Sequence, residues 1–103
     1  MTRLAMTLSG LLLVAAAAAT PAGASAPEAW DALRASVSAA CLKAAAPLLP
    51  GAKAQVDPFG SESYGLALLT GTPKGGKQPV MIMCVYDKRS GTVQIGSEMP
   101  LPR

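Results

Sequence analysis

The chain has 103 residues, half of them hydrophobic, with nine Lys and Arg against six Asp and Glu. This length allows one ordinary domain, and the scattered charges exclude a nucleic-acid interface, which needs clustered Lys and Arg. Because histidine, the commonest general base, is absent, we expect no enzyme activity and no cofactor.

The first residues have the layout of a secretory signal peptide. Arg3 precedes an apolar run from Leu11 to Ala19, and a proline with small residues follows, as in the three-part signals that are removed on export. The run is shorter than the roughly 20 apolar residues needed to span a bilayer. We therefore expect no stable membrane insertion after the signal is removed.

Cleavage after Ala24 is preferred, because cleavage after Ala26 would leave Pro27 directly behind the cut. The predicted organisation is a signal peptide over residues 1–24 and a single small α+β domain over residues 25–103. The predicted location is periplasmic or secreted.

An amphipathic helix is predicted to open this domain. Ser25 and Glu28 have the spacing of a capping box at its start, and Pro47 predicts an end near Ala46. Apolar residues recur at steps of three and four, which indicates one buried stripe: Trp30, Leu33, Val37, Cys41, Ala44 and Leu48.

The pattern changes to that of strands from Lys53 onward. Strands are predicted at 54–56, 63–70, 79–86 and 92–96, and the third, apolar on both faces, is typical of a central strand. The tail Met99–Arg103 contains two prolines and is predicted to be extended and unpaired. The expected fold is α+β: one N-terminal amphipathic helix packed on a three- to four-stranded antiparallel sheet, stapled by one disulfide.

Cys41 and Cys84 are the only cysteines. Two cysteines in an exported chain indicate a disulfide, here between the buried helix stripe and the central strand. A domain this small gains only about 3–5 kcal/mol from its core, so such a bridge would contribute much of its stability.

Four side chains are the candidate interface: Phe59, Tyr64, Lys74 and Lys77. Phe59 follows a proline at a turn, and a rigid loop that presents an aromatic ring suits a protein interface. The alternative is that Phe59 folds back to cap the core. The two lysines lie in Gly71–Lys77, which partly matches a phosphate loop. Gln78 stands where that motif requires Ser or Thr, so a flexible hairpin loop is the favoured interpretation.

The methionines near Cys84 allow two interpretations. The favoured interpretation is that these methionines fill space in the core, because the methionine side chain adapts to irregular gaps. The alternative is a copper(I) site, because thioethers are soft ligands. Met81 and Met83 alternate with Cys84 along one strand, so that site would need a third ligand from elsewhere, such as Met99.

The favoured function is a small non-enzymatic binding or accessory module that acts on another exported or envelope protein. The alternative function is a small soft-metal carrier that uses Met81 and Met83. The sequence identifies neither the partner nor the oligomeric state.

Overall fold

The structure is a computed structural model that describes residues 26–102. One helix, α1 (Pro27–Ala45), is followed by five strands: β1 (Lys53–Val56), β2 (Tyr64–Gly71), β3 (Val80–Asp87), β4 (Val93–Ile95) and β5 (Met99–Pro100). The predicted α+β fold, with one helix on an antiparallel sheet, is confirmed. The predicted signal peptide lies outside the described residues and stays a prediction.

The start of α1 differs from the predicted capping box. Ala26 holds the cap position and makes no side-chain cap hydrogen bond, so the box expected from Ser25 and Glu28 does not begin this helix. Pro27 instead occupies the first turn, where its fixed φ suits the helix and its missing N–H has no intrahelical partner to lose.

The buried stripe of α1 proceeds in steps of four residues. Val37, Cys41 and Ala45 are buried, and Leu49 continues the line beyond the helix. The turn after α1 places Leu49 there, because its N–H donates to the Ala45 carbonyl at 2.8 Å. The prediction that Leu48 closes the stripe is wrong, since this side chain is 44% exposed.

The sheet has the order β1-β2-β3-β4, and β5 also pairs with β3. All neighbouring strands are antiparallel. The predicted central position of β3 is confirmed, because β2 lies along one side of it and β4 and β5 share the other.

Three residues, 96–98, connect β4 to β5. Ile95 pairs with Cys84 and Met99 pairs with Met81, so this connection has one residue more than β3 has between the same two pairs. The chain resumes its pairing with β3 at Met99. The prediction of an unpaired tail is therefore wrong at Met99–Pro100, and Pro100 is tolerated because it lies at the sheet edge.

The core lies between α1 and the inner face of the sheet. Four buried sheet residues meet the helix stripe: Ala67, Leu69, Ile82 and Cys84. The predicted Cys41–Cys84 disulfide is present, with Cα atoms 5.9 Å apart, and it crosses the centre of this core. A disulfide indicates an oxidising, extracytoplasmic environment.

Within residues 26–102, no helix combines the length and the apolar character needed to cross a bilayer.

Candidate functional site

The sheet face turned away from α1 carries a patch of large apolar side chains. We call it the outer face and define it by six residues: Tyr64, Leu66, Leu68, Met81, Met83 and Val85. Tyr64 is 44% exposed, Met83 53% and Val85 36%. Side chains of this size are normally buried, so a contiguous set of them on a surface marks a candidate binding site.

Strand alternation and register bring these residues together. Successive side chains of a strand point to opposite faces, so Leu66 and Leu68 point outward while Ala67 is buried against α1. Leu66 lies opposite Val85, and Leu68 lies opposite Met83. Two adjacent cross-strand pairs therefore form the apolar centre of the outer face.

Polar residues surround this centre. Gln55 of β1 lies opposite Leu68, Gln94 of β4 opposite Val85, and Asp87 opposite Tyr64. Near the β1 margin, a groove of about 390 Å³ runs past Leu66, Leu68 and Met83. An apolar centre with a polar rim is the usual anatomy of a protein interface.

The loop between β1 and β2 carries Phe59, and we call residues 57–61 the aromatic loop. The Asp57 carboxylate accepts hydrogen bonds from the backbone N–H of Phe59 at 3.1 Å and of Gly60 at 3.0 Å. The Ser61 N–H donates to the Tyr64 carbonyl at 2.8 Å. These bonds give the loop a defined conformation although its residues are largely exposed.

Cationic side chains attach the aromatic loop to the rest of the domain. Lys88 Nζ donates to the carbonyls of Phe59 at 2.9 Å and Ser61 at 2.7 Å. Arg34 of α1 donates to the Pro58 carbonyl at 2.8 Å. The loop is therefore held both by α1 and by the segment that directly follows β3, which fixes its position relative to the sheet.

The Phe59 ring packs edge-on against Trp30, with centroids 5.0 Å apart and planes at 89°. Lys88 Nζ lies 5.5 Å from the centroid of the same Trp30 ring, within cation–π range. Phe59 is nevertheless 56% exposed. The Phe59 ring thus contacts α1 through Trp30, while more than half of its side chain faces solvent.

The four predicted interface residues do not form one patch. Phe59 packs against α1, whereas the nearby Tyr64 belongs to the outer face. Lys74 and Lys77 lie in the loop after Gly71, at the other end of β2, a strand about 23 Å long at 3.3 Å per residue. The structure therefore pairs the aromatic loop with one end of the outer face and leaves both lysines at the opposite end.

The apolar centre of the outer face was missed by sequence reasoning. Leu66, Leu68 and Val85 fall within predicted strands but were not identified as a binding surface. The favoured interpretation of Met83 as core filler is wrong, because its side chain is 53% exposed. A signal was available, because β3 is apolar on both faces while the only predicted helix can cover one.

Two aspartates stabilise the loops at the Tyr64 end. Asp87 accepts hydrogen bonds from the N–H groups of Ser90 and Arg89, much as Asp57 does in the aromatic loop. Backbone hydrogen bonds, first from Gly60 for Asp57 and from Ser90 for Asp87, lower the pKa of each carboxyl below its ordinary value. Both loops therefore favour the ionised carboxylate.

This shift predicts acid sensitivity. A lowered folded-state pKa contributes stability above the unfolded pKa of Asp, about 3.9, and that contribution is lost as the pH falls through the folded pKa. Asp57→Asn retains a side-chain oxygen acceptor but cannot titrate, so we expect its melting temperature to fall less steeply below about pH 4. The measurement is thermal unfolding across this range, with Glu62→Gln as the control. Equal slopes for all three proteins would contradict the prediction.

Within the described part of the chain, no three His, Cys, Asp or Glu side chains are grouped to hold a metal ion. The outer face and the adjoining aromatic loop thus form the candidate site. A scan against protein-family models and searches of curated proteins and of solved structures found no match for this chain.

Proposed function

We propose that this protein is a periplasmic or secreted, non-enzymatic binding module that acts on another exported or envelope protein through its outer face. The observation that carries the proposal is the apolar centre formed by the exposed Met83 and Val85 and the half-buried Leu66 and Leu68, bordered by polar residues on three sides. Binding would remove these side chains from water, which stabilises a complex by about 25 cal/mol per Å² of apolar surface.

The dimensions of the outer face favour a different protein over a second copy. The six residues of this face extend over seven positions along two strands and cover an area of about 220 Å², from spacings of about 3.3 Å and 4.8 Å. A standard interface takes about 800 Å² from each partner. Two copies stacked by this face alone would therefore bury too little surface for a stable dimer.

A larger partner can extend over the neighbouring surface. At the Tyr64 end, a polar groove of about 560 Å³ lies between the loop after β3 and residues that precede Tyr64. The aromatic loop adjoins the same end, with Phe59 exposed and fixed in place. We therefore infer that the partner covers the apolar centre and continues over Tyr64 toward Phe59.

A charge placed in the apolar centre tests the proposal. We expect Val85→Lys to reduce capture of the partner from the native exported fraction at least tenfold, because a complex would bury the ammonium group without a counter-ion. The matched control is Gln94→Lys, which adds the same charge at the rim position opposite Val85. We expect this control to retain capture within a few-fold. Thermal unfolding establishes that both variants fold.

Two results would contradict the proposal. One is equal capture by the two variants, which would place the interface elsewhere. The other is a concentration-dependent dimer of the purified protein, seen in sedimentation and abolished only by Val85→Lys. A photo-crosslinker at position 83, compared with one at Lys43 on the exposed side of α1, locates the contact directly.

A further inference from the structure

Every methionine within residues 26–102 lies in the outer face or, in the case of Met99, directly beside it. Met81 and Met83 alternate with the buried residues Ile82 and Cys84, so both point away from α1. Met99 of β5 lies directly opposite Met81, and residues opposite one another in an antiparallel pair project from the same face. The length of the connection between β4 and β5 sets this register.

The spacing allows the three thioethers to meet at one point. Directly opposite residues have Cβ atoms about 5 Å apart, and alternate residues of one strand are about 6.6 Å apart. Methionine has three rotatable side-chain bonds and a terminal thioether, so the three sulfurs can approach a common ion from neighbouring positions. Met83 is 53% exposed, which leaves the site open to solvent.

We propose that Met81, Met83 and Met99 form a binding site for a soft monovalent metal ion, copper(I), at this corner of the outer face. Thioethers are neutral, soft ligands that select copper(I) over hard cations such as Mg²⁺ and Ca²⁺. The chain supplies neither a free imidazole nor a free thiolate, the ligands that would compete most strongly for copper(I). It has no histidine, and its two thiols are held in the buried disulfide.

A thioether-only ligand set has a distinctive pH behaviour. Sites built from thiolate, imidazole or carboxylate bind metal more weakly in acid, because protons compete for those ligands. A thioether carries no proton that metal must displace. The affinity of this site is therefore independent of pH between about 5 and 8, a range over which histidine ligands lose affinity.

Titration with silver(I), a soft ion that resists redox change, tests the site, and copper(I) held reduced by ascorbate repeats the test. We expect one ion per chain, bound with equal affinity at both ends of the pH range. Met81→Leu, Met83→Leu and Met99→Leu should each weaken binding at least tenfold, since each removes one of three ligands. Leu has nearly the volume of Met, so the fold is retained, and thermal unfolding verifies this.

The matched control is Val85→Leu, which changes an apolar side chain of the same strand face but removes no sulfur. We expect it to bind silver(I) as the unaltered protein does. Binding that survives in the triple Leu variant would overturn the proposal, and so would an ion shared between two chains in sedimentation. This site does not depend on the proposed protein partner, because the titration uses the purified protein alone.

Discussion

Replacing Cys41 and Cys84 together by Ala is expected to lower the free energy of unfolding by about 2–4 kcal/mol, the usual contribution of a disulfide that closes a loop of this length. The bridge spans 43 positions and therefore restricts more than half of the domain in the unfolded state. A core of this size supplies only about 3–5 kcal/mol. The variant should consequently retain only the stability of its core and unfold at a markedly lower temperature.

Chemical denaturation of the variant and of the protein reduced by dithiothreitol provides the measurement. The two should agree within about 1 kcal/mol, because both lack the same covalent constraint. Either single substitution should cost nearly as much as the double one, since the first already removes the bridge. If the double variant and both single variants each lose less than about 1 kcal/mol of unfolding free energy, non-covalent packing of α1 on the sheet is enough to keep the domain folded.

The sequence predicted the layers of the fold because both periodicities are strong. The structure buries Val37 and Cys41, as the helical spacing predicted. In β2, buried and partly exposed residues alternate, as expected of a strand. The disulfide was predicted because the chain, itself predicted to be exported, has two cysteines, and the periodicities placed one on the helix stripe and the other on the central strand, where both are buried. Local pattern and long-range pairing therefore agree.

The sequence did not predict which apolar side chains of the sheet would have no other element packed over them. Burial of a β-strand depends on what lies over each of its faces, and that is a property of the whole fold. β3 reads as buried on both faces, yet α1 covers only the side of Ile82 and Cys84. Met83 and Val85 consequently remain exposed. The candidate site therefore lies where side chains that are apolar in sequence are not buried in the fold.

The sequence also could not give the register at the sheet edge. Three residues connect β4 to β5 where β3 has only two between the same pairs, and this offset places Met99 opposite Met81. A shift of one residue would send the Met99 side chain to the opposite face. The sequence could only suggest Met99 as a third ligand, whereas the structure places it directly opposite Met81.

Gly60→Ala is expected to destabilise the domain by about 3 kcal/mol, whereas Gly75→Ala should cost about 1 kcal/mol. Both glycines have positive φ, at 71° and 80°, so the conformational penalty of a Cβ atom applies equally to each. The surroundings differ. A Cβ at Gly60 would overlap the Tyr64 carbonyl oxygen, while one at Gly75 would meet nothing within 4 Å.

The overlap at Gly60 involves backbone, which cannot rotate away as a flexible side chain can. Relief would require the Tyr64 carbonyl to move, which would break its hydrogen bond with the Ser61 N–H. That movement would displace the aromatic loop and the edge contact between Phe59 and Trp30. Overpacking of this kind adds about 1–3 kcal/mol to the conformational penalty.

Denaturant unfolding of the two variants, followed by fluorescence of Trp30, the only tryptophan, measures both effects. The Gly60→Ala protein should also show altered Trp30 emission before unfolding begins, because its ring contact with Phe59 is disturbed. Gly75→Ala should leave the native emission unchanged. Equal losses of stability, with unaltered native emission in both, would mean that the aromatic loop adjusts freely and that Phe59 is not held in place for binding.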